Sequence, residues 1–415
     1  MKVKIQQISR SIKAYPALFF LILICVVFMF AEIVNQRFWM SDFEVYYKAA
    51  YRILHSQNLY RIEADKHYIF KYSPTSAIYF IPFLIFPFEA AKIVYWLLLT
   101  GVIVSGFYMC VEIIRPSYLK SALKRPVNLV FLFAILILAV HFLRELHLGQ
   151  VNYLLLYCYI SALYFYQHKE NIPFSLILAL SIFIKPFTLI FLPFLIYKKK
   201  YSRLVLFAFF SLVLFLLPIL FYRSIDLTID QYKNWTNELR VELSHKQGLL
   251  EDANHTFFSV FARYTPVRFL ISDRSSTFMY QLIMLAALAL SFLWFTRIRI
   301  KNASIEQMNY FALIEFSLLV AFIPLIAFTS ENAFVFTQLL VFTILLYFNS
   351  LKNVEKGIAV VAFLFIGGNF SELTGKHLSQ EIDNLSLITV GTVMLICLLF
   401  VLRKRGSLMD AITEK

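Results

Sequence analysis

The sequence predicts an all-α polytopic membrane protein, a bundle of about 12 transmembrane helices. Three observations predict it. Of 415 residues, 60% are hydrophobic and only 15% charged, with a mean hydropathy of +0.71, far from the balance of a soluble domain. Apolar runs of about 20 residues recur, each long enough to cross the roughly 30 Å hydrocarbon layer as a helix. They are continuous rather than alternating, which excludes a barrel and leaves helices to satisfy their own backbone groups in lipid. Finally, Lys and Arg gather in short connections: Lys2–Lys13, Arg115–Arg125, Lys198–Arg203, Arg297–Lys301 and Arg403–Arg405.

That placement follows the positive-inside rule. The net charge of +14 is therefore topological, with a weak attraction to membrane lipid heads, and no nucleic-acid partner is expected. The spacing predicts a first helix over 14–34. Its end, Glu32-Ile33-Val34-Asn35, has no small-residue cleavage site, so it reads as a retained helix. An outer loop, 35–72, follows. Apolar residues at 43, 46, 47, 50, 51 and 54 predict an amphipathic helix on the membrane surface.

Segment 73–88 contains Pro74, Pro82 and Pro87. Letting it cross would invert the charge pattern, so a re-entrant or surface-lying hairpin is expected. Helices then fall at 90–113, 127–143 and 151–167. Segment 172–197 breaks at Lys185-Pro186 into two short helices. Further helices fall at 202–221, 277–295, 307–328, 333–350, 357–370 and 385–402, with both termini inside. The whole chain, 1–415, reads as a single domain, with the outer loops 35–72 and 222–276 roofing a site. Arg144–Gln150 reads as a short outer connection. Cys25, Cys110, Cys158 and Cys397 lie in apolar runs without metal-ligand spacing.

The chain has no P-loop, Rossmann fingerprint, nucleophile elbow or His/Cys metal cluster. Its polar residues instead collect at the expected outer ends of helices. Asp42 can take a proton from a hydroxyl, or Ser41 or Asp42 can cap the surface helix. Lys185, inside an apolar stretch, needs an anion or a path to the surface. Arg144, His147, Gln150 and Asn152 crowd one connection. Arg223, Asn254, His255 and Arg263 lie in the long loop, and Glu331 in a late turn. Carboxylates, cations and aromatic rings on the outer side suit transfer of a group from an anionic lipid-linked carrier. They also suit movement of such a lipid, or a scaffold without chemistry.

Asp42-Phe43, Tyr46-Tyr47, Ala49-Ala50, Leu59-Tyr60 and Tyr72-Ser73-Pro74 with Pro82 and Pro87 come in that order. Gly149-Gln150-Val151-Asn152, Lys185-Pro186 and Asn254-His255-Thr256 follow them. This series resembles glycosyltransferase family 87; His255 stands where the family has Gln. The resemblance implies a GT-C-type fold. It also implies transfer of a sugar, typically mannose, from a polyprenyl-phosphate donor to a lipid or glycan acceptor outside the bacterial cytoplasmic membrane. Asp42 is then the general base and Lys185 the first partner of the donor phosphate, with Arg144, Arg223 and Arg263 behind it. Glu44, Tyr46, Tyr72, His147, Gln150, Asn152, Asn254, His255 and Glu331 are expected around the substrates. No cofactor or metal is expected, because cations can hold the leaving phosphate. The sequence departs from the mycobacterial mannosyltransferases at Phe328-Thr329-Ser330-Glu331-Asn332, which lacks their histidine.

Overall fold

The computed structural model describes residues 15–65, 68–114, 126–244, 249–251, 254–271, 274–296, 304–327, 331–370 and 374–408. Among them the regular structure is helical throughout. The expected helix 14–34 is α1 (Pro16–Val34), and the surface helix is α2 (Ser41–Leu54). Then come α3 (Pro74–Ile78), α4 (Phe88–Ile114), α5 (Val127–Leu148), α6 (Asn152–Gln167), α7 (Asn171–Ile184), α8 (Phe191–Tyr197), α9 (Tyr201–Leu216) and α10 (Ile219–Tyr222). The remainder are α11 (Ile225–Ser244), α12 (Phe257–Tyr264), α13 (Arg274–Thr296), α14 (Ile305–Ile326), α15 (Gln338–Leu346), α16 (Asn353–Gly367), α17 (Lys376–Asn384) and α18 (Leu387–Leu408).

Seven helical stretches among the described residues are long and apolar enough to cross a membrane. Two of them, Tyr201–Tyr222 and Ser276–Thr296, are only 11% and 17% buried within the protein. Apolar helices left that bare need an apolar solvent, so the chain is a membrane protein. Ile305–Ile326 is 83% buried and sits inside its own unit.

Segment 73–88 does not form one spanning helix: α3 gives way to a 3-10 turn over Ile81–Ile85. The Lys185-Pro186 break is also present. α7 ends at Ile184, Lys185 is extended (φ −140°, ψ 138°), and Pro186 opens a 3-10 turn over Pro186–Ile190. Proline lacks the N–H the helix would need there.

Several expectations change. Arg144–Gln150 is not a loop, because α5 continues to Leu148 and carries Arg144, Glu145 and His147 on its last turns. The long loop 222–276 contains two helices, α11 and α12. The span expected over 333–350 begins as a buried 3-10 turn over Glu331–Thr337 and continues in the short α15. α2 buries Phe43, Val45, Tyr46, Ala49, Ala50 and Ile53 against protein, while Tyr51 and Leu54 are exposed. Its inner face is thus rotated from the one expected to lie on the membrane. The stacking of Phe43 on Tyr95, centroids 4.3 Å apart, takes the place of lipid contact.

The chain packs as two compact units. One comprises Leu21–Gly106 and Phe142–Lys246; the other comprises Met1–Phe20, Phe107–His141 and Gln247–Lys415. In the first unit, Trp96 Nε1 donates to Cys25 O at 3.2 Å, joining α4 to α1. Arg203 lies over the Tyr166 ring at 4.2 Å and donates to Asn171 Oδ1 at 2.7 Å, tying the start of α9 to the α6–α7 turn. In the second unit, α16 and α18 cross closely at Gly391. A Cβ there would come within 2.7 Å of Ala362 O, so only glycine fits. The buried Arg403 guanidinium pairs with Glu315 at 3.0 Å.

Candidate active site

The first unit contains most of the predicted residues and brings a subset of them together. α2 is preceded by Met40 at the N-cap position, with a left-handed backbone (φ 47°) and no side-chain cap. Neither Ser41 nor Asp42 is the N-cap residue, so the Asp42 carboxylate is available elsewhere. Its position depends on Gly149. That residue turns α5 into α6 with φ +69°, and a Cβ on it would lie 2.8 Å from Phe43 Cβ and 3.1 Å from Met40 Cε. Only glycine lets this turn seat against the start of α2. The seat places the Gln150 side chain close enough to act on the Asp42 carboxyl. Tyr46 OH donates to Gln150 Oε1 at 3.4 Å and shares a 2.9 Å hydrogen bond with Tyr72 OH.

Tyr72-Ser73-Pro74 docks against the other break. Ser73 Oγ donates to Phe183 O at 2.6 Å; its own oxygen also accepts Ser76 N, capping α3, where Pro74 fits the first turn. Tyr60 OH donates to Tyr72 O at 2.7 Å, and Leu59 N donates to Gln231 Oε1 of α11 at 3.1 Å. These bonds hold Lys71 and Tyr72 beside the end of α7. Lys185 Nζ lies 5.8 Å from the Tyr72 ring centroid and 5.6 Å from that of Phe187. It donates to Asn152 Oδ1 at 2.6 Å. Asn152 in turn donates to the fully buried Glu145 at 2.8 Å.

The half-buried Asp42 carboxyl is held above its usual range. Burial dominates, against the opposing pulls of the Lys185 charge, the Gln150 hydrogen bond and the Lys71 charge. A carboxylate raised in this way is a stronger proton acceptor. Burial also pushes the Tyr46 phenol well up, so it is a neutral donor at ordinary pH.

The second unit holds another polar cluster. Asn254 Oδ1 accepts from Thr256 N at 3.1 Å and Thr256 Oγ1 at 2.7 Å, and Thr256 caps α12. His255 Nδ1 meets Ser386 Oγ at 2.9 Å. Arg263 donates to Asn384 O at 2.9 Å and Ser386 Oγ at 2.6 Å. Asn369 Nδ2 bridges Asp383 at 2.5 Å and Glu331 at 3.3 Å. His255, Glu331 and Asp383 each offer an atom within 4.8 Å of the others, a spacing that a metal ion could use.

The sequence model of glycosyltransferase family 87 matches residues 70–326. The chain belongs to glycosyltransferase family 87. No curated protein and no solved structure matches it. Within the family 87 span lie Tyr72-Ser73-Pro74, Gly149–Asn152, Lys185-Pro186 and Asn254–Thr256; Asp42 precedes it and Glu331 follows it.

In this glycosyltransferase Asp42, Tyr46, Tyr72, Gln150, Asn152 and Lys185 come together. Glu44 does not join them: it pairs with Lys48 at 2.7 Å on the more exposed side of α2. His147 is engaged by the buried Glu32 and lies against Trp39, 5.9 Å between rings. Arg144 and Arg223 are exposed, Arg223 with a left-handed backbone (φ 52°) after α10. Asn254, His255, Arg263 and Glu331 belong to the cluster of the second unit. Sequence reasoning gave no role to Lys71, Glu145 or Asp383. Lys71 and Glu145 directly flank recognised motifs, which was the available signal. Asp383 had none, because only folding brings α17 to His255.

Proposed function

We propose that this family 87 enzyme moves a sugar, mannose or another hexose, from a polyprenyl-phosphate donor to a hydroxyl of a lipid or glycan acceptor, with inversion. Asp42 accepts the hydroxyl proton. The acceptor oxygen bonds to the anomeric carbon as the bond from that carbon to the phosphate oxygen breaks. Polyprenyl phosphate leaves with the electron pair and one more negative charge. Lys185, with Lys71 nearby, stabilises that charge. One displacement inverts the anomeric centre. The observation that carries this reading is the close placement of one raised carboxylate, Asp42, and one lysine, Lys185, whose charge acts on it, beside the hydrogen-bonded Tyr46, Tyr72 and Gln150 and the Lys185–Asn152 pair.

The basic connections support an active site on the outer face of the bacterial cytoplasmic membrane. The shorter apolar helices Asn171–Ile184, Pro186–Tyr197 and Glu331–Leu346 support a GT-C-type bundle of about 12 spans. Transfer is proposed to need no metal. The test is sugar transfer in membranes from a labelled polyprenyl-phosphate sugar. Asp42→Asn should lose about 10²-fold or more, the low end of a general base's contribution. Full activity in Asp42→Asn sinks the mechanism. Carrier movement without a new glycosidic bond would identify a flippase.

A further inference from the structure

We infer that Glu145 is a positioning residue for the donor phosphate, acting on Lys185 through Asn152. The inference rests on the role of Lys185 proposed above. Glu145 is completely buried near the end of α5. Both of its oxygens accept: one from Asn152 Nδ2 at 2.8 Å, the other from Tyr153 N at 3.1 Å. Tyr153 N is one of the first-turn amides of α6, which have no partner within the helix and favour a negative group. Asn152, 2% exposed, then presents Oδ1 to Lys185 Nζ at 2.6 Å.

Chemistry fixes the sense of this relay. A carboxylate only accepts and an ammonium only donates. With Glu145 on one side and Lys185 on the other, the amide can face only one way: nitrogen to Glu145, oxygen to Lys185. Glu145 therefore sets the orientation of the group that aims Lys185. Glu145 is completely buried and reaches Lys185 through Asn152, so its role is positioning and not catalysis. Its expected signature is a change in the use of the donor and not of the acceptor.

Glu145→Gln tests this because it keeps the shape and changes the sense. Tyr153 N still needs an acceptor, so the oxygen of the introduced amide takes it and the introduced NH2 faces Asn152. Asn152 must then turn its own oxygen to that NH2 and its own NH2 toward the Lys185 ammonium. Losing that charge-assisted bond should lower kcat/KM for the polyprenyl-phosphate sugar about tenfold, with the acceptor KM unchanged. The double variant Glu145→Gln/Asn152→Asp rebuilds the relay, since a carboxylate at position 152 accepts both from the amide at position 145 and from Lys185. It should recover to within about threefold of wild type.

A second readout needs no turnover. The rate of amine-reagent labelling at Lys185, read by mass spectrometry on the full chain in membranes, should rise about tenfold in Glu145→Gln and fall back in the double variant. Asn152→Ala should show the same rise, and it serves if Glu145→Gln does not fold. Wild-type donor kinetics and wild-type labelling in a folded Glu145→Gln or Asn152→Ala overturn the inference. So does a folded double variant that fails to recover. If the wild type transfers nothing from the polyprenyl-phosphate sugar, the proposed function fails, while the labelling still decides whether Glu145 aims Lys185.

Discussion

Gly149→Ala changes one hydrogen to a methyl and should disable the enzyme, although Gly149 bears no functional group. Two costs add. The backbone at 149 has φ +69°, a left-handed conformation that costs a residue with a Cβ about 1–2 kcal/mol. The new Cβ also meets Phe43 Cβ at 2.8 Å and Met40 Cε at 3.1 Å, and overpacking of this kind costs about 1–3 kcal/mol. The total is about 2–5 kcal/mol. Phe43 is stacked on Tyr95 at 4.3 Å and cannot swing away cheaply, so the strain falls on the start of α2, which carries Asp42. Two controls isolate the effect. A Cβ at Gly101 or Gly357 would meet nothing within 4 Å, and both lie inside helices, where Gly→Ala stabilises by about 0.5–1 kcal/mol. Unfolding midpoints in detergent and sugar transfer in membranes should separate the three variants. Gly149→Ala should unfold earlier and transfer at least about tenfold more slowly, while Gly101→Ala and Gly357→Ala transfer like wild type and unfold no earlier than it. A Gly149→Ala enzyme that behaves like Gly101→Ala refutes the claim that this turn seats Asp42.

The acid limb of the pH–rate profile should lie above the ordinary aspartate range, because Asp42 must be deprotonated to act and burial raises its pKa. Lys185 opposes that rise, so in Lys185→Met the residual activity should show its acid limb at higher pH still; a limb that stays or moves down separates the two groups. Chelation of divalent cations should leave transfer unchanged. Activity lost to a chelator, restored by a divalent cation, and equally lost in His255→Ala and Asp383→Asn would instead assign a metal to the His255, Glu331 and Asp383 cluster.

The membrane class, the break at Lys185-Pro186 and the helix over 42–54 were legible in the sequence, because each follows from local rules. Hydrocarbon thickness sets run length, proline removes a helix donor, and a helix period marks a buried face. Asp42 was singled out by resemblance and Lys185 also by its cost in an apolar stretch, and the two lie near enough for the Lys185 charge to act on Asp42. The helices inside 222–276 were missed because α11 is mostly polar and is held by Leu59 N to Gln231 and by Thr75 to Tyr232, partners far away in sequence. The extension of α5 through Glu145 was missed for the same reason. Polar residues near a helix end read as a loop until Asn152 and the first amides of α6 are in place to bond them. Local composition thus determined which segments leave water and which residue types are left to do chemistry. Only tertiary structure decided which of them meet: Gly149 against Phe43, Ser73 against Phe183, Asn152 between Glu145 and Lys185. Such meetings are made by side chains that can lie tens to more than a hundred residues apart, and no local propensity encodes them.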